Sequence, residues 1–344
     1  MRRHWQHFWL AALAWLLVSG CEGPQQVHSL SGYTMGTEWS VQLVAHPSAS
    51  ELGGVRQEID AALETVNAQM STFREDSDIS RFNRLSPGET IELPPEFGKV
   101  LLAALEMAEA TDGAYDPTVG PLVNLWGFGP DGRRTRGPPE EEIEAARSRV
   151  GWQQLEVMTR EGTVALIQPG GVYLDLSSIA KGYAVDLIAE RLDTLGFSAY
   201  LIDIGGDMRM RGHRPDGRGW RIGIERPVPG MRAVHSVIAP GDRAVATSGS
   251  YRNFYIDDAQ EHSHTIDPRS GQPVPPDLLS VTVLHDSAMV ADALATAIMV
   301  LGPQDGYAFA RAHELAVVLM VREDDMIKER MTPAFAPFLA EEAR

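Results

Sequence analysis

Two oxygen-bearing side chains, Asp292 and Thr296, interrupt the apolar stretch MVADALATAIMV, residues 289–300. Four residues apart, they stack on one face of a helix, and a buried helix carries such polar groups at a cost unless they are partnered. Two uses are open. The acid can serve the helix dipole while the hydroxyl bonds back to its own turn, or the two can be hard donors for a cation. A second oxygen cluster aimed the same way would favour the cation, and DLSSIAKGYAVD, residues 175–186, offers one. There Asp175 closes an apolar strand, Ser177 and Ser178 stand where a helix is capped, and Gly182 permits close backbone approach. Such a turn presents amides to a phosphate and a carbonyl to a cation. Lys181 is placed either to reach an anion or to lie solvated at the surface.

Two further stretches carry reactive types. In GAYDPTVGPLVNLWGFGP, residues 113–130, Asp116 is fixed before a proline and can accept hydrogen bonds from a ring N–H, while Trp126 and Phe128 pack the loop. In HSHTIDPRSGQPV, residues 262–274, His262 and His264 lie two apart and share a face of a strand. They suit either a zinc site still short of ligands or a single histidine that orients a hydroxyl or takes its proton.

The elements that position these groups follow from periodicity. EWSVQLVA reads as a strand. ELGGVRQEIDAALETVNAQMS reads as a helix with Ile59, Leu63, Val66 and Met70 on one face, and PPEFGKVLLAALEMAEATDG as a second helix closed by Gly113. The Gly- and Pro-rich GPDGRRTRGPPEEEI is a loop. VYLDLSSIAKGYAVDLIAERLDTLG is a strand entering a helix, AYLIDIGGDMRMRGH a hairpin turning at Gly205, Gly206 and Asp207, and WRIGIERP another strand. AVATSG, RNFYID and LLSVTVLH are strands, followed by helices over 288–301 and near 304–314 and the strand LAVVLMVR. Hairpins in mixed order predict an α+β domain with one large mixed sheet rather than a dinucleotide-binding fold.

The chain has 344 residues, a formal net charge of −17 and one cysteine. Its length suits one large domain, and its acidity argues against nucleic acid. An anionic ligand must therefore be held locally. Residues 1–20 have Arg2 and Arg3, an apolar run from Phe8 to Val18, and then small residues, the layout of an export signal too short to span a membrane. The lone Cys21 in LVSGC resembles a lipobox, which implies cleavage before it and lipid on its thiol. Residues 22–30 then read as a polar tether.

In series, YTMGTEWSV, MSTFREDSDISRFN, AYDPTVGPLVNLWGFGP, LDLSSIAKGYAVD, YLIDIGGDMRMRG, HTIDPRSGQPV and ADALATAIMVLG resemble the ApbE family of FAD:protein FMN transferases. The resemblance implies that Mg2+ bridges the pyrophosphate of bound FAD and that FMN passes to a Ser or Thr of an exported protein, releasing AMP. It implies Asp292, Thr296 and the backbone oxygen of Ser178 as metal ligands, hard donors that suit magnesium. FAD contacts would come from Met35, Phe73, Ala114, Tyr115, Asp116, Asp175, Lys181 and Ile266. Phe73 stands where some members have Tyr, keeping a stacking ring without the phenol. Lys181 replaces an acid of some relatives. His264, beside Ile266, is expected to be the base or orienting group for the acceptor hydroxyl. Family acceptors carry Asp-x-x-Ser/Thr-Gly-Ala-Ser/Thr, a motif this chain lacks, so the acceptor is another protein. By resemblance it is a flavin-carrying subunit of sodium-translocating NADH:quinone reductase or of an Rnf-type complex. The expected layout is a signal peptide over 1–20, the lipidated cysteine and tether over 21–30, and the transferase domain over 31–344, anchored at the periplasmic side of the inner membrane. Glu22 follows Cys21 where Asp often accompanies inner-membrane retention. The same cleft would serve an FAD pyrophosphatase, with water as nucleophile, or a carrier of FAD without turnover.

Overall fold

The computed structural model describes residues 26–340 apart from 229, 231–232, 252, 258–259 and 325. The signal peptide and Cys21 lie outside these residues. The chain starts with the hairpin β1 (Gln26–Thr34) and β2 (Thr37–Ala45), then α1 (Ala49–Met70), α2 (Asp78–Asn83), β3 (Thr90–Leu93), α3 (Pro95–Ala110), α4 (Gly120–Leu125) and α5 (Glu140–Arg147). Next come β4 (Glu156–Arg160), β5 (Thr163–Ile167), α6 (Ala180–Thr194), β6 (Tyr200–Ile204), β7 (Asp207–Arg211), β8 (Ile222–Glu225) and β9 (Val234–Ile238). The last part holds β10 (Ala244–Gly249), β11 (Phe254–Asp257), β12 (Gln260–Ser263), β13 (Leu278–His285), α7 (Ala288–Ala312), β14 (Ala316–Glu323) and β15 (Met326–Met331).

An eight-stranded sheet runs in the order β1-β2-β6-β7-β10-β13-β14-β15, and each neighbouring pair in it is antiparallel. This is the α+β architecture expected, with a sheet that is antiparallel throughout rather than mixed. One face buries Trp39, Val41, Ile202 and Ile204 against the apolar sides of α1, α3 and α6. Val281, Val283, Val317 and Leu319 pack under α7. The opposite face is covered by Trp220, Ile222, Ile224 and Ile238 around β8 and β9. The β6–β7 turn is Gly205-Gly206 with φ of 61° and 100°, the positive-φ pair that a two-residue hairpin needs.

The sheet is irregular at one pairing. β7 and β10 meet only at Ala244 with Arg209 and Val245 with Met208. Beyond Val245, β10 has no strand on that side among the described residues, so a gap opens between it and the glycine turn.

Several expectations change. Residues 26–30, placed in the tether, are the first half of β1 and pair with β2 from Gln26 onward. The strand expected over 172–176 forms no ladder, because its backbone bonds are met by other means. Leu174 exchanges both of its backbone hydrogen bonds with the Asn83 side chain, and the Asp175 amide donates to the Pro117 carbonyl at 2.8 Å. Ser177 and Ser178 do not cap α6, since Ser177 donates to Asp175 and Ser178 to the Tyr115 hydroxyl. The long loop expected after residue 129 already turns helical at Glu140. The helices expected over 288–301 and 304–314 form α7, broken where Gly302 takes φ 82° ahead of Pro303.

α7 is fixed at its start by a residue of α6. Asp186 accepts from the backbone amides of Ala288 and Met289, both at 3.0 Å, and from the Ser287 hydroxyl at 2.6 Å, and it pairs with Arg209. A buried carboxylate on the unpaired N-terminal amides of a helix is a favourable use of the helix dipole. Asp186→Ala is therefore expected to lower the unfolding free energy by roughly 2–3 kcal/mol in urea titration. A loss below about 0.5 kcal/mol would contradict this role.

Candidate functional site

The gap between β7 and β10 opens into a cavity of about 570 Å³, within the size range of small-molecule clefts. Its walls bring together residues far apart in sequence. Tyr115 and Asp116 come from the turn after α3, Asp175 to Lys181 from the entry to α6, Gly205 and Gly206 from the hairpin turn, Thr247 to Gly249 from β10, His264 to Ile266 from beyond β12, and Asp292 and Thr296 from α7. Ala114 also lines it, and Phe73 stands at it with 67% of its surface exposed. Met35 is elsewhere: it occupies the β1–β2 turn at φ 48° and packs against the main core. Of the expected ligand contacts, it alone is absent from the cavity wall among the described residues.

The contact between α6 and α7 sets the centre of the site. A Cβ on Gly182 would lie 2.2 Å from the Ala288 carbonyl oxygen and 2.8 Å from the Asp292 Cβ. Only glycine allows this approach. The Gly182 amide, in the first turn of α6 where helix amides have no acceptor within their own helix, donates to Asp292 Oδ2 at 3.0 Å. Among the described residues the Ser178 carbonyl accepts no backbone hydrogen bond. An acid, a hydroxyl and an unpaired carbonyl are thereby gathered at one place. Thr296 does hold a hydroxyl partner, Ser248 Oγ at 3.2 Å.

Electrostatics at this centre are dominated by burial. Asp292 is buried, and its carboxyl is pushed up to about 7, first by desolvation and then by Asp207, against the opposing pull of Lys181 and the Gly182 amide. Lys181 pairs closely with Asp207 and lies 3.9 Å from Asp292 Oδ1. Burial works to lower the Lys181 pKa, but Asp207, Asp292 and Asp203 together outweigh it and hold the ammonium charged. Burial also raises Asp203, with the Gly206 amide working against it. One ammonium thus faces several acids, and the site is short of positive charge.

This donor set fits a magnesium ion. Among the described residues no three or more His, Cys, Asp or Glu side chains gather as a metal site, and none of these adds a third ligand to His262 and His264. Hard cations that keep part of their shell for water or phosphate need only the few oxygens found here. His262 is buried between Trp126 and Tyr255, at 5.1 Å from each ring centroid. His264 lies past the end of β12 and faces the cavity. Its Nδ1 stands 3.1 Å from the Asn253 carbonyl, an acceptor only, so Nδ1 carries the proton and Nε2 keeps its lone pair. Burial, then Lys181, hold His264 below its ordinary 6.5, against the Asn253 carbonyl.

Asp116 lines the cavity and also holds its own loop. Its Oδ1 accepts from the Thr118 amide at 2.8 Å and hydroxyl at 2.6 Å, and its Oδ2 from the Trp152 amide at 3.0 Å. These bonds fix the wall that the loop forms. Phe128, expected only to pack its loop, lines the cavity and meets His264 edge-on at 6.3 Å between centroids. Four contributors were missed: Asp186, Asn83 and Ser248, whose partners lie on other elements, and Asp207 as the ion-pair partner of Lys181. Only Asp207, repeated beside Asp203 around the two glycines, left a local signal.

The family model described as "ApbE family" matches residues 35–319. An FAD:protein FMN transferase of Vibrio cholerae is 45% identical over 334 residues, covering 96% of this chain and 99% of that protein. One from Haemophilus influenzae is 39% identical, covering 93% and 94%. Among solved structures, the flavin transferase ApbE from Vibrio cholerae superposes with a TM-score of 0.83 at 42% identity, covering 92% of this chain and 100% of that one. The apo form of the Pseudomonas stutzeri flavinyl transferase ApbE also gives 0.83, at 39% identity, covering 92% and 97%.

The raised Asp292 carboxyl has a consequence for stability without metal. The folded state holds its proton more tightly than the unfolded chain, so its stabilising contribution is complete below 3.8 and is lost as pH rises towards about 7. The limiting slope is about 1.4 kcal/mol per pH unit. In EDTA, wild type is expected to lose stability relative to Asp292→Asn between pH 4 and 7 and to run parallel above. Parallel curves throughout would show that burial does not hold this proton.

Proposed function

The chain belongs to the ApbE family, and from that membership and the cavity's chemistry we propose that it is a magnesium-dependent FAD:protein FMN transferase. The observation that carries this reading is one cavity holding Asp292, Thr296 and the unpaired Ser178 carbonyl together with His264, whose Nδ1 is bonded to the Asn253 carbonyl. Asp292, Thr296 and the Ser178 carbonyl would hold the ion, which when bound neutralises charge on the pyrophosphate of FAD and polarises its phosphorus.

The protein's own groups supply the rest. Lys181, kept charged by its acids, offers a further cation to the phosphates and stays in place through Asp207. Phe73 offers a ring face at the mouth for a flavin or adenine ring. His264 Nε2 accepts the proton of an acceptor Ser or Thr hydroxyl as its oxygen bonds to the phosphorus of the FMN half. The bond to the bridging pyrophosphate oxygen breaks, and AMP leaves with that oxygen. The Asn253 carbonyl holds the imidazole in the tautomer that makes this transfer possible. The acceptor is an exported flavoprotein subunit of the reductase or Rnf type, and the enzyme meets it from a Cys21 lipid anchor on the periplasmic side of the inner membrane.

The test is incubation of residues 22–344 with FAD, Mg2+ and an acceptor domain bearing Asp-x-x-Ser/Thr-Gly-Ala-Ser/Thr, followed by in-gel flavin fluorescence and AMP chromatography. Covalent flavin and AMP in equal amounts are expected, both falling on the order of 100-fold or more in Asp292→Ala. Free FMN with AMP and no labelled acceptor would make the enzyme a pyrophosphatase. FAD retained without AMP would make it a carrier.

His264 gives a second check. Transfer is expected to rise with pH through a single protonation below 6.5 and to level off above it, because the deprotonated form is the base. His264→Gln should lower transfer by roughly 100- to 10,000-fold while FAD binding, read by flavin fluorescence quenching, persists. Unchanged transfer would remove His264 from the chemistry.

A further inference from the structure

The wall of the cavity opposite the helices includes Ile222, Gly223, Ile224 and Glu225, four consecutive residues of β8. Successive side chains of a strand point to opposite faces, and Ile222 and Ile224 are buried in the core. A cavity touching all four therefore runs along the edge of the strand and meets its backbone.

The hydrogen-bond pattern shows what that edge presents. On the far side of β9, the Ala239 amide donates to the Phe338 carbonyl at 2.8 Å and the Ala340 amide to the Val237 carbonyl at 2.9 Å, flanking the bridge of Ile238 to Leu339. Ile238 thus turns its own N–H and C=O towards β8, where its partner is Ile222. By the alternation of an antiparallel ladder, Gly223 turns its N–H and C=O away from β9. β8 pairs only with β9, and no other strand meets the outer edge of Gly223 among the described residues. Gly223 is exposed and has no side chain to cover that edge.

We propose that the acceptor polypeptide docks by adding a short extended strand to the open edge of β8, paired through the Gly223 amide and carbonyl. This rests on the transferase reading, which requires a second, polypeptide substrate to bring a hydroxyl into the same cavity that holds His264 and Asp292. An unpaired donor and acceptor side by side on a strand edge is the pattern that recruits an extended chain. The short length of β8 limits the added segment to a few residues around the acceptor hydroxyl. Backbone pairing supplies register, so the hydroxyl is positioned with little dependence on neighbouring side chains.

The test combines amide exchange with a chemically edited substrate, leaving the protein intact. Hydrogen exchange at Gly223 is followed by mass spectrometry in residues 22–344 with Mg2+ and FAD, with and without an acceptor peptide. The same peptide is then N-methylated at one position at a time. The expected result is exchange at Gly223 slowed at least about tenfold by the peptide. N-methylation should weaken binding by on the order of tenfold at the one position whose N–H meets the Gly223 carbonyl, about one lost hydrogen bond, and little at the positions beside it. Covalent flavin on the peptide without any slowing at Gly223, or equal losses from methylation at every position, would overturn the docking mode. Protection of Gly223 by FAD or AMP alone would also overturn it, by assigning the edge to the nucleotide. Exchange is read independently of turnover, so a peptide that protects Gly223, is sensitive to methylation at one position and receives no flavin supports the docking mode and counts against the transferase reading instead.

Discussion

The approach of α6 to α7 at Gly182 is the constraint on which the rest of the site depends. With no Cβ there, the first turn of α6 presses onto the Ala288 carbonyl and the base of Asp292. That contact lets the orphan first-turn amide of Gly182 reach the Asp292 carboxylate, beside the Ser178 carbonyl, which stands ahead of the helix. The close approach thus gathers a carboxylate, a hydroxyl and a carbonyl at one place. Asp186, four residues further along α6, holds the N-terminus of α7 in the matching position. Both ends of the contact are backbone-based, which makes the site as rigid as the helices that carry it.

Charge explains how an acidic protein handles an anionic substrate. The net charge of −17 gives no general attraction for a pyrophosphate, so the positive end must be local. Lys181 is the ammonium at the centre, and its neighbours Asp207 and Asp292 hold it charged despite burial. Asp292 in turn carries a carboxyl whose proton is hard to remove without another cation. A divalent ion bound there would offset that charge and supply what the side chains lack.

Much of this was legible in the sequence, for physical reasons. A polar pair at a four-residue spacing inside an apolar helix has few structural uses, so Asp292 and Thr296 stood out before any fold was known. The Gly205-Gly206 hairpin was equally clear because backbone conformation demands those residues. Asp186 and Asn83 were not, since a carboxylate capping a distant helix and an amide replacing a strand partner leave no periodic trace. The segment 172–176 looked like a strand because it is apolar, and burial without a ladder has the same signature. The open edge of β8 is a property of what the sheet omits, and no residue type announces it.

Asp292, Thr296 and the Ser178 carbonyl are proposed to form one cation site. Anomalous diffraction from crystals soaked with Mn2+ and FAD tests it directly. A peak bonded to all three oxygens and to the pyrophosphate of FAD is expected. A peak held by Asp203 and Asp207 instead, or flavin bound in the cavity with no metal beside it, would contradict it.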